Sequence, residues 1–212
     1  MTTDTSSNSP RAAEAHEFIP EDYFARVSHV DIFPGAERET PLEVDLGCGD
    51  GSFLLAMARH APETHFLGVE RLLGRVRKVS RRVQKQSLEN VKVLRLESRY
   101  TVEWLLEPGS VRRLHLLCPD PWPKARHHRR RIIQPEFLQA VHRVLEPDGE
   151  FLFMTDHPEY YEWTDEMAAG QGALFRREDW EEDTFYYPQT DFQIQWEAEG
   201  KSMHRLRLRK ID

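Results

Sequence analysis

Short apolar segments alternate with amphipathic ones through the middle of this sequence, and that alternation constrains the fold more than any other feature. The segment LEVDL at 42–46 precedes an apolar helical stripe at 52–61, and HFLGVE at 65–70 precedes a second stripe at 71–85. Strands that alternate with helices form parallel βαβ crossovers, which place helices on both faces of one sheet. The pattern therefore predicts an α/β protein with a doubly wound, mostly parallel sheet.

The same alternation of predicted strands and helices continues toward the C-terminus and predicts a sheet of seven strands. The third to fifth predicted strands are 91–96, 111–118 and 150–155, and the sixth and seventh are expected among the segments 173–177, 190–198 and 202–209. The later predicted helices are 101–107, 134–147 and 159–169. Apolar residues at helical or alternating spacing are the basis of each assignment.

A length of 212 residues suits one domain, which we divide by composition. Residues 1–16 are small and polar, as is typical of a disordered tail. Residues 17–40 carry aromatic residues among acids and are expected to form an arm. The core is expected at 41–156 and a C-terminal substrate-recognition part at 157–212.

Charge is distributed very unevenly along the chain, although the net charge is −7. Residues 71–85 carry seven Lys or Arg and no acid, and residues 124–131 carry five. Residues 157–200 carry twelve acids against Arg176 and Arg177. Because salt screens charges beyond about 8–10 Å, binding to phosphates depends on the local field. The acidic average therefore does not exclude a nucleic-acid partner.

Several classes of protein are disfavoured by what the sequence lacks. No stretch approaches the ~20 apolar residues of a membrane-spanning helix, and the polar N-terminus does not resemble a secretory signal. Cys48 and Cys118 are too few for a disulfide framework. We therefore expect a cytoplasmic protein that does not associate with membranes, either a monomer or a homodimer. His127 and His128 have no partners at metal-ligand spacing, so no metal is expected.

In an open α/β sheet ligands bind at the carboxyl ends of the strands, so the residues after each strand are the first candidates. The first strand runs into Asp45-Leu46-Gly47-Cys48-Gly49-Asp50-Gly51. Glycines at alternate positions allow a tight turn and a close approach of the backbone to a ligand. The dinucleotide fingerprint GxGxxG has its last glycine where Ser52 stands here. The turn thus favours a ligand without a pyrophosphate, or it is a tight turn that binds nothing.

The second strand ends in Glu70, twenty-three positions after Gly47. A carboxylate at this place can accept hydrogen bonds from both hydroxyls of an adenosine ribose. The alternative is a surface salt bridge to Arg71 or Arg75.

Two further carboxylates extend the pattern. Glu97-Ser98 ends the third strand, where it could reach an adenine amino group, and Asp45 could hold the ammonium of an amino-acid moiety. Three acids around one pocket suit a cationic ligand without phosphate better than they suit NAD. S-adenosylmethionine has a sulfonium, an ammonium and a ribose, and no phosphate.

The fourth strand leads into Pro119-Asp120-Pro121-Trp122-Pro123-Lys124, and the fifth ends at Asp156. Three prolines stiffen the loop, so that Asp120 can meet the N–H groups of a base edge at little ordering cost. Trp122 either stacks on a base or braces the loop. Lys124 and the arginines of 126–131 can pair with phosphates or form a solvated basic segment. Asp156 either belongs to the same rim or caps the following helix.

These residues resemble the bacterial tRNA (guanine-N7-)-methyltransferases of the TrmB type, which belong to the Rossmann-like class I methyltransferases that use S-adenosylmethionine. PDPWPKARHHRRRIIQPEFL at 119–138 is the most specific match, and DLGCGDGSFLLAMARHAP with FLGVE adds the expected spacing. The match covers residues 42–156. The resemblance implies methylation of N7 of a guanine in the variable loop of tRNA.

The resemblance also implies site residues. It places the catalytic acid at Asp120 and the cofactor contacts at Asp45, Gly47, Gly49, Glu70, Glu97, Ser98 and Asp120. It places substrate contacts at Lys124, Asp156, Thr190, Asp191, Phe192 and Gln193. It places RNA contacts at Arg126, His127, His128, Arg129, Arg130 and Arg131.

Some positions depart from the family pattern. Asp45 replaces the usual Glu, and Glu97-Ser98 replaces Asp-Ala, but both changes keep the carboxylate. TDFQ at 190–193 replaces TKFE and exchanges the final Glu for an amide, so this departure concerns substrate contacts in the C-terminal quarter more than the chemistry. Two other functions stay open at this point: a methyltransferase for a small molecule or protein, and an RNA-binding relative without activity.

Overall fold

The computed structural model describes residues 16–37, 39–180 and 185–212, and it leaves the side chains of Asp191 and Phe192 undescribed. The predicted tail falls almost wholly outside these residues. The strands are β1 (Glu17–Phe18), β2 (Leu42–Leu46), β3 (His65–Val69), β4 (Val91–Leu94), β5 (Val111–Leu117), β6 (Leu145–Thr155), β7 (Phe175–Glu178) and β8 (His204–Lys210). The helices are α1 (His29–Ile32), α2 (Ser52–His60), α3 (Leu73–Lys85), α4 (Ser98–Tyr100), α5 (Pro135–Val144), α6 (Pro158–Ala169) and α7 (Asp191–Ala198). A π-helical turn (Thr101–Leu105) follows α4, and a 3-10 helix (Ala125–Arg130) follows β5.

The eight strands form one sheet in the order β1-β4-β3-β2-β5-β6-β8-β7. Neighbours from β1 to β6 are parallel, whereas β8 is antiparallel to both β6 and β7. The strand order reverses at β2, between β3 and β5, so the doubly wound α/β class is confirmed. The expected count of seven strands is wrong for the described residues, because the arm contributes β1, a two-residue edge strand that pairs with β4.

The strand predicted at 190–198 is also wrong, since this segment forms α7. Apolar and polar residues alternate in this segment, as is typical of a strand. The Thr190 hydroxyl, however, accepts a hydrogen bond from the Gln193 amide at 3.0 Å, which caps the first turn of a helix. A local cap thus outweighs the period-two pattern.

Helices pack on both faces of the sheet, so a ligand can reach it only at the ends of the strands. On one face α2 and α3 pack on β3 and β4, with Phe53, Val79 and Val83 among the buried side chains. On the other face α5, α6 and the π-helical turn form the larger core around β2, β5 and β6. The carboxyl ends of β2 to β6 therefore open together at one edge, with helix N-termini beside them.

Candidate active site

The turn after β2 has a backbone that only glycine adopts easily. Gly47, Gly49 and Gly51 all have positive φ, at 75°, 60° and 80°. The amides of Gly47 and Cys48 both donate to the Val69 carbonyl, at 2.8 and 2.9 Å, which holds the turn against β3. A Cβ on Gly47 would meet no atom within 4 Å, so the turn faces open space where a ligand can approach.

Gly51 has a different role from the other two glycines. A Cβ there would lie 2.8 Å from the Val79 side chain, so its absence lets α3 pack against the start of α2. Asp50, between these glycines, accepts from Arg82 at 2.8 Å and from the Ser52 amide at 3.1 Å. The turn is therefore fixed from both sides before any ligand binds.

Asp45 and Glu70 are buried acids at the ends of neighbouring strands, with exposed fractions of 4% and 5%. Burial, and then the charge of Glu70, raise the pKa of Asp45 to about 7. Glu70 accepts from the Leu72 amide at 2.8 Å and lies 3.4 Å from Arg75. The predicted salt bridge to Arg75 thus exists, but the carboxylate is buried at the sheet edge rather than on the surface. A buried acid whose pKa is raised toward neutral pH gains from a neighbouring cation, so this pair of acids is suited to a cationic ligand.

Replacing Asp45 with asparagine should stabilise the ligand-free protein and weaken binding of an aminoacyl cation. The folded protein raises the pKa of Asp45 from 3.8 to about 7, so the folded state holds a proton that the unfolded state releases in this window. The free energy of unfolding that Asp45 contributes therefore falls as pH rises from about 4 to 7. At pH 8 the variant should melt a few degrees above the parent, since 1 kcal/mol shifts Tm by roughly 2–4 °C at this size.

Thermal scans from pH 4 to 8 measure this difference, which should shrink toward pH 4. Calorimetric titration with S-adenosylhomocysteine should show at least about tenfold weaker binding by the variant, as expected for a lost charge-assisted hydrogen bond. Asp148→Asn, at an exposed position with a φ of 59°, is the matched control. A Tm difference for Asp45→Asn that does not change with pH would contradict the assignment.

Glu97 stands at the end of β4 and is exposed. Its carboxylate accepts from the Tyr100 amide at 2.8 Å and so caps α4. Ser98, the first residue of α4, is half-buried beside it. A cavity of about 430 Å³ opens next to Glu97 and is also lined by Arg71, Arg95 and Tyr23. Glu97 and Ser98 therefore lie at the predicted edge, with one Glu97 oxygen engaged in the cap.

The loop that carries Asp120 is held in a strained form. Cys118 and Trp122 on either side of Asp120 both have positive φ, at 52° and 45°, which costs roughly 1–3 kcal/mol for a residue other than glycine. The Cys118 amide donates to the Met154 carbonyl at 2.7 Å. The Arg130 guanidinium stacks on Trp122 at 4.9 Å, so Trp122 braces the loop. The exposed Asp120 is thus presented to solvent on a rigid support.

Arg131 does not lie where an RNA contact requires, which corrects its assignment to the RNA-contacting set. Its side chain is fully buried, with 0% exposed. Its Nε donates to the Pro121 carbonyl at 2.9 Å, and its guanidinium packs over Tyr160 at 5.0 Å and Trp163 at 5.2 Å. Arginine has a long apolar stem and five donors, so it can join a loop to a helix from inside the protein. Arg131 anchors the Asp120 loop to α6.

The other predicted RNA contacts divide into two groups. Arg126, Arg129 and Arg130 are exposed along the 3-10 helix, and Lys124, which is predicted as a substrate contact, is exposed just before it. His127 and His128 are half-buried: His127 lies edge-on to Trp122, and His128 lies 3.3 Å from Glu159. The cationic surface therefore consists of the lysine and three arginines.

The C-terminal candidates sit beside the end of β6. Thr190 and Gln193 are buried, and Gln193 Nε2 donates to Glu197 at 2.8 Å. Asp191 and Phe192 belong to the first turn of α7, and their side chains lie outside the described residues. Lys201, after α7, lies 3.5 Å from Asp156. Asp156 does not cap α6, because the ring of His157 accepts from the Tyr160 amide there.

Sequence reasoning missed three polar residues that lie beneath this site. Glu43 on β2, His115 on β5 and Tyr187 before α7 are linked by hydrogen bonds. The available signal was weak: a Glu inside LEVDL and a His inside an otherwise apolar strand. The partner Tyr187 lies 72 positions from His115, and no local pattern connects the two.

The strand ends therefore bring Asp45, Glu70, Glu97, Asp120 and Asp156 to one edge, as predicted. The acids at the ends of β2, β3 and β4 form one part of the candidate site, which suits a cationic ligand. A rigid Asp120 with an adjacent basic surface suits a base and its phosphates. Within the described part of the chain, no group of three or more His, Cys, Asp or Glu side chains is arranged to hold a metal ion. No helix in that part has the length and apolarity to cross a bilayer.

The sequence is similar to a family of methyltransferases and to individual proteins of known description. A family model described as "Putative methyltransferase" matches residues 39–206. A tRNA (guanine-N(7)-)-methyltransferase of Syntrophotalea carbinolica is 31% identical over 91% of this chain and 85% of its own length. Proteins with the same description from Rubrobacter xylanophilus and Agrobacterium fabrum are 33% and 34% identical, over 80% and 82% of this chain and 77% and 75% of their own lengths.

Solved structures support the fold. The 16S rRNA methyltransferase KamB aligns with a TM-score of 0.58 and 18% identity, over 81% of this chain and 88% of its own. A SAM-dependent O-methyltransferase of Thermotoga maritima aligns with a TM-score of 0.55 and 18% identity, over 82% of this chain and 60% of its own. At this identity the likeness concerns the architecture alone.

Proposed function

This chain belongs to the tRNA (guanine-N(7)-)-methyltransferase family, and on that premise we propose that it transfers a methyl group from S-adenosylmethionine to N7 of a guanine in the variable loop of tRNA. The observation that carries the proposal is the sheet edge itself. Buried acids at the ends of β2 and β3 stand on one side, and a braced Asp120 with an exposed basic surface stands on the other. We place the reaction in the cytoplasm, where tRNA is modified.

The residues present fit S-adenosylmethionine. Asp45 is a buried acid that lies close to Glu70. A buried ammonium or sulfonium needs such carboxylates beside it, because a buried charge is costly unless it is paired. We assign Glu70 to the ribose hydroxyls. A Cβ on Gly47 would meet no atom within 4 Å, so a ligand can approach the turn there. We assign Glu97 and Ser98 to the adenine. When bound, the cofactor supplies an electrophilic methyl group.

The chemistry assigned to this chain is mainly positioning. N7 of neutral guanine has a free lone pair, so no general base is needed to expose it. We assign to Asp120 the role of accepting hydrogen bonds from the N1–H or amino group of the base. Its carboxylate also stabilises the positive charge that grows on the ring. Proline on both sides and the anchor at Arg131 hold Asp120 in place, so orientation costs little at the moment of reaction. The target base must leave its stack to reach this loop.

Transfer of labelled methyl from S-adenosylmethionine to unmodified tRNA tests the proposal. Mass spectrometry of nuclease fragments then locates the product. N7-methylguanosine in the variable-loop fragment is the expected result. Label in protein or in small molecules instead, or no transfer to any tRNA, would contradict it. Label at another tRNA guanine would contradict only the proposed position.

Reversing charge at Arg129 and Arg130 should weaken tRNA binding and flatten its salt dependence. Both side chains are exposed, and neither has a carboxylate partner among the described residues. Each lost phosphate contact should reduce the slope of log affinity against log salt by roughly 0.7–0.9. Binding of S-adenosylhomocysteine should not change. Filter binding of tRNA from about 50 to 200 mM salt measures the slope.

A matched control reverses Arg59 and Arg112, two exposed arginines at the opposite edge of the sheet. It changes the net charge equally and should leave the slope close to that of the parent. If Arg129→Glu with Arg130→Glu also leaves the slope unchanged, this basic surface does not hold RNA. The cationic face of α3 or the basic strand β8 would then be the next surface to test.

A further inference from the structure

A directed chain of hydrogen bonds runs under the active site, from the sheet to the segment before α7. Glu43 Oε2 lies 2.9 Å from His115 Nε2, and His115 Nδ1 lies 3.1 Å from the Tyr187 hydroxyl. Arg113 holds the other Glu43 oxygen at 3.2 Å. Glu43 and His115 are buried, so the contact between them is shielded from competition by water, and the contact of His115 with Tyr187 is partly buried.

The direction of each bond follows from the chemistry of its partners. Although burial opposes it, the hydrogen bond from His115 and the charge of Arg113 hold the pKa of Glu43 below its usual range. Burial lowers the pKa of His115, so its ring is neutral. An ionised carboxylate only accepts, so Nε2 carries the proton and Nδ1 has the lone pair. The Tyr187 hydroxyl therefore donates to His115.

At one end these hydrogen-bonded residues lie next to residues of the proposed cofactor site. His115 and Asp45 are direct cross-strand partners of β5 and β2, so their side chains lie on the same face of the sheet. The Tyr187 ring lies 4.8 Å from Phe53, in the first turn of α2 after the glycine turn. Burial, and next the charge of Asp45, raise the pKa of Tyr187, so its hydroxyl keeps its proton.

At the other end, the hydrogen-bonded residues lead directly into the proposed substrate segment. Tyr187 stands three residues before Thr190, which caps α7 and begins the TDFQ turn. Trp180, after β7, packs edge-on against the Tyr187 ring at 4.7 Å. The hydroxyl of Tyr187 is thus a specific link between the segment 185–193 and the strands β2 and β5, which carry Glu43 and His115.

We propose that Tyr187 is a positioning residue that couples cofactor binding to tRNA binding, by docking the substrate segment through His115 and Glu43 against the wall of the cofactor pocket. This inference rests on the proposed function. It predicts that removal of one hydroxyl, without loss of the ring, impairs use of tRNA while affinity for S-adenosylmethionine is kept.

Tyr187→Phe is the test. The KM for tRNA should rise roughly two- to tenfold, the factor that one buried hydrogen bond is worth, with the Kd for S-adenosylhomocysteine within about twofold. In the parent, S-adenosylhomocysteine should slow amide hydrogen exchange in 185–193, and in Tyr187→Phe this protection should be lost. The exchange measurement needs no tRNA, so it tests the coupling even if the protein methylates another substrate.

Two comparisons separate positioning from a merely structural role. Tyr186→Phe, a neighbour that is exposed and stacks on His60, should behave like the parent. In a His115→Phe background, Tyr187→Phe should cause no further rise in KM, because the acceptor is already gone. The proposal is overturned if KM for tRNA and cofactor-induced protection match the parent. It is also overturned if affinity for S-adenosylhomocysteine and Tm fall together with tRNA use.

Discussion

Replacing Asp120 with asparagine is expected to lower the rate of methyl transfer to tRNA by about 100-fold or more, the range seen when a preorganised group facing developing charge is removed. Affinity for S-adenosylhomocysteine should stay within about threefold. The physical reason is that asparagine keeps the shape of the loop but loses the negative charge that faces the guanine ring as it becomes positive. Single-turnover transfer of labelled methyl, at saturating concentrations of both substrates, measures the chemical step.

The same Asp148→Asn control shows whether an Asp-to-Asn change elsewhere affects the assay. Asp148 is exposed, and asparagine tolerates its left-handed backbone. If Asp120→Asn weakens cofactor binding as much as it slows transfer, then Asp120 is chiefly a cofactor ligand. If it changes neither, the base is held by another group, and the role given to the Pro-flanked loop is wrong.

The order of strands and helices in the core could be predicted because the period of apolar residues is a local signal. The segments 42–46 and 65–70 are predicted as strands, and Leu42–Leu46 and His65–Val69 form strands, since each is a short apolar run next to a glycine or an acid. The errors lie where tertiary or local polar contacts decide. The pairing of Glu17–Phe18 with β4 has no signal in two residues, and the Thr190 cap turns an alternating segment into a helix.

The site could be predicted to the extent that it depends on strand ends. The rule that ligands bind at carboxyl ends brought Asp45, Glu70 and Asp120 to one edge without any coordinates. The rule cannot tell which of several adjacent cations faces outward. Arg130 and Arg131 are neighbours in one basic run, yet the first is exposed on Trp122 and the second is enclosed by α6. Such a division depends on contacts between residues far apart in the chain.

Replacing Arg131 with alanine should lower the free energy of unfolding by about 3 kcal/mol, since it opens a cavity and leaves a loop carbonyl unpaired. At this chain length that corresponds to a fall in Tm of roughly 6–12 °C. The salt bridge to Glu159 contributes little to this figure, because Glu159 is about half exposed and its charge can return to water. Denaturant titration and thermal scans measure the loss.

Arg131→Met separates packing from the hydrogen bond that holds the loop. Methionine refills much of the volume between Tyr160 and Trp163, so stability should partly return. It cannot donate to the Pro121 carbonyl, so methyl transfer should stay low at temperatures well below Tm. Arg129→Ala, two residues earlier and exposed, should change the free energy of unfolding by no more than about 0.5 kcal/mol. If Arg131→Met restores activity in full, the guanidinium does not position Asp120. If Arg131→Ala melts like the parent, this buried arginine is not the anchor of the loop.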